Sequence, residues 1–122
     1  MGRYILDGQT PVPCEDVEAW ARWVERTPPS ARRVGRAELV VAGVDYLVST
    51  VFLMLDHNFG GRGPPLLFET MVFQLKTPEE RLDSRHDLGE DVECWRYSSW
   101  DDAAAGHQAA LNRLQEKVRA DG

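Results

Sequence analysis

The chain has 122 residues, 43% hydrophobic and 28% charged, which is ordinary for a globular protein and enough for one domain with its own core. Its formal charge of −6 disfavours general affinity for a nucleic-acid backbone, and no run approaches the roughly 20 apolar residues that cross a bilayer. The start, MGRYILDG, lacks the apolar stretch of a secretory signal, so a cytoplasmic protein is expected, with Cys14 and Cys94 as free thiols.

In chain order, Arg3 to Leu6 reads as a short strand closed by the turn pair Asp7-Gly8. Gln9 to Pro13 reads as irregular, because Pro11 and Pro13 lack donors and restrict the residues before them. A first helix is expected over Cys14 to Arg26. Pro13 suits its entry, Glu15 and Asp16 suit the positive end of its dipole, and Val17, Trp20 and Val24 recur at helical spacing beside Ala21 and Trp23. Core packing is the expected role of Trp20 and Trp23. Thr27-Pro28-Pro29 stops the helix. Ala31 to Ala42 reads as a strand kinked at Gly35, with Arg32, Arg33 and Arg36 as an exposed basic edge. Gly43 then opens a tight turn.

The stretch from Val44 to Lys76 organises the rest. VDYLVSTVFLML and LLFETMVFQLK flank DHNFGGRGPP, the pattern of two antiparallel strands joined by a long ordered loop. Val51, Leu53 and Leu55 alternate with Phe52 and Met54. On the return, Leu67, Met71, Phe73 and Leu75 alternate with Leu66, Phe68 and Val72. A half-solvated strand shows polar residues on one side; these do not, so both sheet faces are expected to be covered. Two helices of an α+β fold usually share a face, which leaves the other to a second copy, and a homodimer is expected.

The following segment, 77–93, holds seven acidic residues, namely Glu79, Glu80, Asp83, Asp87, Glu90, Asp91 and Glu93, against Arg81 and Arg85. It reads as a solvated connection, with an acidic docking surface for a basic partner as the alternative. Asp91 to Tyr97 reads as another strand. Ser99 followed by Asp102 is a capping pattern, so the last helix is placed at 100–119. Its apolar stripe is Ala104, His107, Leu111, Leu114 and Val118, and Lys117 and Arg119 suit its negative end. Gly106 inside it costs about 1 kcal/mol against alanine, which suggests close approach to the sheet. The order is β-α-β-β-β-β-α in one α+β domain spanning 1–122, an antiparallel sheet centred on the hairpin (44–76) with covering helices at 14–26 and 100–119.

Three places carry candidate chemistry. Asp56 and His57 end the outgoing strand and Glu69 lies early in the returning one; with His107 they could form a small acid/base or divalent-metal site. The competing reading, which is favoured, has Asp56, His57 and Asn58 hydrogen-bonding the loop backbone. Gly60-Gly61-Arg62-Gly63 lacks the Gly-Lys-Ser/Thr of a phosphate-binding loop, so a plain glycine-rich turn is favoured over an anion nest. Asn58, Phe59 and Arg62 read instead as contacts for another protein. His107 interrupts an apolar stripe and needs a partner, with Glu69, Thr70 or a backbone carbonyl as candidates. No hydroxyl among Ser49, Thr50, Ser98 and Ser99 stands in an activating frame. Cys14, near a helix start, has no paired histidine that the sequence identifies. No cofactor and no resident metal are implied.

VSTVFLMLDHNFGGRGPPLLFETMVF and RYSSWDDAAAGHQAAL, with ILDGQTPVPCEDVEAWARWVE at the front, resemble a group of small proteins widespread in bacteriophage and bacterial genomes. The resemblance covers nearly the whole chain and brings no catalytic assignment. It implies a phage or mobile-element accessory protein that acts by binding another protein, inhibition of a bacterial defence system being one such role.

Overall fold

The computed structural model describes residues 2–75 and 91–121. It is an α+β structure: a two-stranded antiparallel ribbon, a four-stranded antiparallel sheet and two helices. The acidic stretch 77–90 and its flanking Lys76 lie outside the described residues, as do the side chains of Lys117, Val118 and Arg119.

The ribbon pairs β1 (Tyr4–Asp7) with β2 (Thr10–Pro13). β2 occupies a segment whose prolines suggested irregular chain. In a ribbon each strand has a single neighbour, so alternate amides point outward. Cys14 N donates to Arg3 O at 2.8 Å, which sets the even-numbered amides inward. Pro11 and Pro13 therefore give up donors that have no ladder partner. Gly8, with φ +64°, leads the two-residue turn.

Helix α1 spans Val17–Arg26, three residues later than the sequence suggests. Asp16 decides its start: Oδ1 accepts from Glu18 N at 3.0 Å and Ala19 N at 3.3 Å, so the chain before it stays extended. A short 3-10 turn, Pro29–Arg32, follows. Strands β3 (Arg33–Val41), β4 (Val44–Phe52), β5 (Phe68–Gln74) and β6 (Asp91–Tyr97) then form a meander in sequence order. Ala42 and Gly43, both at positive φ, make the β3–β4 turn. The irregularity expected at Gly35 is a register shift between Arg33 and Gly35.

Helix α2 spans Trp100–Asp121, and Asp102 N donates to Ser99 Oγ at 3.1 Å. Its buried residues are Ala103, Ala110 and Leu114. Ala104, expected on that stripe, is exposed instead: alanines one position away, with the smallest side chains, meet the sheet. A Cβ on Gly106 would overlap the Tyr97 hydroxyl and ring.

Both helices lie over one sheet face. Trp23 of α1 meets Phe52 edge-on, Phe52 meets Phe68, and Phe68 meets Trp100 of α2, with ring centroids 6.0, 5.4 and 6.1 Å apart. This aromatic chain, with Leu67 and Ala103, is one half of the core; Val41, Val48, Val72, Ala110 and Leu114 are the other. Leu67 precedes β5 and joins the Phe52 cluster rather than alternating with Phe68, because its amide donates to Tyr97 O at 2.9 Å. The opposite face carries Leu47 paired with Phe73, Ser49 with Met71 and Val51 with Glu69 across the central strands.

Candidate functional site

The connection from β4 to β5 is an ordered loop with two tiers. Its base is stapled by backbone. Leu53 N donates to Leu67 O at 2.7 Å and His57 N to Leu66 O at 2.8 Å, closing the loop on itself. Tyr4 N donates to Met54 O and Asp56 N to Gly2 O, both at 2.9 Å, tying it to the N-terminal segment. Met54 sits at φ +67°, a left-handed conformation that costs a non-glycine residue roughly 1 kcal/mol. The Met54 carbonyl then also accepts from Trp20 Nε1 at 3.2 Å, so helix α1 helps to hold this bend.

The upper tier is held by two side chains. Asp56 Oδ1 accepts from Asn58 N at 2.8 Å and from Leu66 N at 2.9 Å, joining the two limbs across ten residues. Asn58 Nδ2 donates to Pro64 O at 3.0 Å and to Arg62 O. Gly61 and Gly63, at φ +69° and +80°, supply the turns that bring those carbonyls inward. Asp56 and Asn58 thus spend their polar groups on the loop backbone.

What the loop presents outward is different. Phe59 is 68% exposed, and Arg62 beside it is exposed and takes no ion pair among the described residues. His57 stands with its ring 5.6 Å from that of Phe59. Its Nδ1 lies 2.9 Å from Leu55 O; a carbonyl only accepts, so Nδ1 is the donor. The loop is therefore a rigid mount for one aromatic, one cation and one imidazole.

The four residues of the acid/base alternative are not gathered. Thr70 is fully buried on the helix-covered face, so Glu69 next to it in β5 points to the other face. There its Oε2 takes Arg96 Nε at 2.9 Å and Cys94 Sγ at 3.6 Å. His107 lies on the helix side. Its Nδ1 is 2.8 Å from Thr50 Oγ1, which is 2.6 Å from Thr70 Oγ1. The partner of His107 is thus Thr50, with Thr70 behind it, and Glu69 is excluded by strand parity. Burial pushes the His107 imidazole below its ordinary value. Asp56 and His57 stay in the loop. No group of three metal-binding side chains occurs among the described residues.

The remaining sequence candidates separate similarly. Arg33 and Arg36 are exposed, and Arg36 pairs with Glu38 at 3.3 Å. Arg32 leaves that cluster: it is half-buried, with Nη1 on the Met54 sulfur. Cys14 follows β2 and lies outside the α1 N-terminus that Asp16 caps. Ser99 is spent on the α2 cap. Sequence reasoning treated Thr50 only as a hydroxyl nucleophile and missed the buried Thr50–Thr70 pair. The signal was present, since each threonine shares parity with buried Phe52 and Phe68. Comparison of the chain with protein-family models, curated proteins and solved structures gives no match.

Proposed function

We propose that this is a non-enzymatic binding protein that presents the loop from Asp56 to Pro65 to a protein partner. The observation that carries the reading is the contrast within the loop: Asp56 and Asn58 fix the backbone from inside, while Phe59, flanked by the His57 ring, and Arg62 stay exposed. A pre-organised loop loses little entropy on docking, and aromatic and arginine side chains are the residues most often found as binding anchors. An accessory role of the phage or mobile-element kind, including inhibition of a bacterial defence system, rests on the resemblance of the central run alone.

The test is affinity capture from a bacterial lysate with the wild type and with Phe59→Ala and Arg62→Ala, followed by reconstitution from purified components. A partner that binds the wild type stoichiometrically and loses at least about tenfold affinity on Phe59→Ala supports the reading. A reconstituted partner indifferent to both substitutions refutes it, provided both variants melt with the wild type.

Self-association is proposed through the sheet face opposite the helices. Half-buried Val51, Met71 and Phe73 lie there beside the already buried Leu47, rimmed by the ion pairs Arg36–Glu38 and Arg96–Glu69. Light scattering on the purified chain decides it: a monomer mass at high concentration removes the dimer.

A further inference from the structure

A second recessed surface lies away from the loop, between the ribbon and α1. It is a groove of about 340 Å³ lined by Ile5, Cys14, Ala19, Arg22, Trp23 and Arg26. Ala19, Arg22, Trp23 and Arg26 recur at helical spacing and so form one stripe of α1, facing β1 across the gap. The floor is apolar: Ile5, the small Ala19 and the indole of Trp23. Space exists because position 19 holds no more than a methyl group.

The rim has the opposite character. Arg22 donates through Nε to Glu18 O at 3.3 Å, which leaves its terminal nitrogens. Neither Arg22 nor Arg26 takes an ion pair among the described residues. These two guanidinium groups stand four residues apart on the stripe that lines the groove, while Glu18 and Glu25 of the same helix are not among its lining. Guanidinium groups match a carboxylate as paired donors, and the volume is at the lower end of what small-molecule sites enclose.

We propose that this groove binds a small carboxylate with an apolar body, its chain or ring lying on Ile5, Ala19 and Trp23 and its carboxylate held between Arg22 and Arg26. Octanoate is the probe, with octanol as the neutral compound of the same length, each titrated while the Trp23 indole resonance is followed by NMR. Saturable shifts at Trp23 with octanoate, at least about tenfold weaker with octanol, are expected, since one lost charged contact is worth roughly a factor of ten. Arg22→Gln and Arg26→Gln each weaken octanoate without changing the fold, and Ala19→Leu, which fills the floor and keeps both cations, removes binding. Equal affinity for octanol and octanoate, a response that survives Ala19→Leu, or no saturation with millimolar octanoate overturns the proposal. Failure here leaves the loop reading untouched, because no residue is shared.

Discussion

Gly106 offers a test in which the sign, not only the size, is at stake. In an exposed helix interior, glycine to alanine stabilises by about 1 kcal/mol through helix propensity and a less flexible unfolded chain. In this structure the added methyl has no room: it would overlap the Oη, Cζ and Cε1 atoms of Tyr97. Tyr97 is no loose end. It packs on the cluster of Phe52, Leu67 and Phe68, and its carbonyl accepts from Leu67 N. Forcing α2 off β6 is overpacking, with a cost of roughly 1–3 kcal/mol. Set against the propensity gain of about 1 kcal/mol, Gly106→Ala should be destabilising by up to about 2 kcal/mol, and each kcal/mol lowers Tm by roughly 3–5 °C in a domain this size. The control is Tyr97→Ala, which opens the space. In that background Gly106→Ala should revert to its ordinary effect and stabilise by about 1 kcal/mol. Thermal and urea unfolding of the four proteins closes the cycle. If Gly106→Ala raises the Tm of the wild type, α2 does not approach β6 this closely and the packing argument is wrong.

Further outcomes follow from the same contacts. Thr50→Val keeps the shape but leaves the fully buried Thr70 hydroxyl and His107 Nδ1 without their shared partner; a loss of about 1–3 kcal/mol is expected by urea unfolding. Because burial lowers the folded-state pKa of His107, the unfolded chain takes up its proton first as pH falls. Stability is therefore full above the unfolded value near 6.5 and declines as pH falls through it toward the lower folded value; His107→Asn should flatten that part of the pH–stability curve. Asp56→Ala removes the acceptor for Asn58 N and Leu66 N, and hydrogen exchange at those two amides should accelerate at least about tenfold with the β4 and β5 amides unchanged. Asp16→Ala uncaps α1 and should cost about 1 kcal/mol.

Much of the architecture was legible because the determining signals were local. The long hairpin, the strand at 91–97 and the start of the last helix at Ser99 each rest on a few adjacent residues. Gly106 was legible in a stronger sense: a residue unfavourable in a helix implied a neighbour too close for a side chain, and Tyr97 is that neighbour. The errors have physical causes. Pro11 and Pro13 read in sequence as donors lost from a ladder, whereas a two-stranded ribbon leaves alternate amides idle. The start of α1 was set by Pro13 and the acidic residues after it, yet the cap bond from Asp16 outweighed them. The candidate union of Glu69 with His107 ignored parity. Glu69 and Thr70 are adjacent in a strand and cannot both face α2, and the apolar company of Thr70 already assigned it to the core. The bonds that Asp56 makes to Leu66 were not legible, because they depend on where the far limb of the loop returns.

Close approach of α2 to the sheet sets what lies at the centre of this fold and what lies at its edges. Two glycines let α2 close on the sheet: Gly106 against Tyr97, and Gly35 against the edge of the His107 ring, where a Cβ would lie 2.7 Å from Nε2. At that spacing His107 Nδ1, Thr50 and Thr70 form a hydrogen-bonded chain between α2 and the sheet. The ion pair of Glu69 and Arg96 lies on the opposite face, where the two hold each other at 2.9 Å. Side chains left with unspent binding capacity therefore lie at the periphery, on the loop tip at Phe59 and Arg62 and on α1 at Arg22 and Arg26. In the proposed binding role those groups act by contact, and specificity comes from how firmly the backbone beneath them is held.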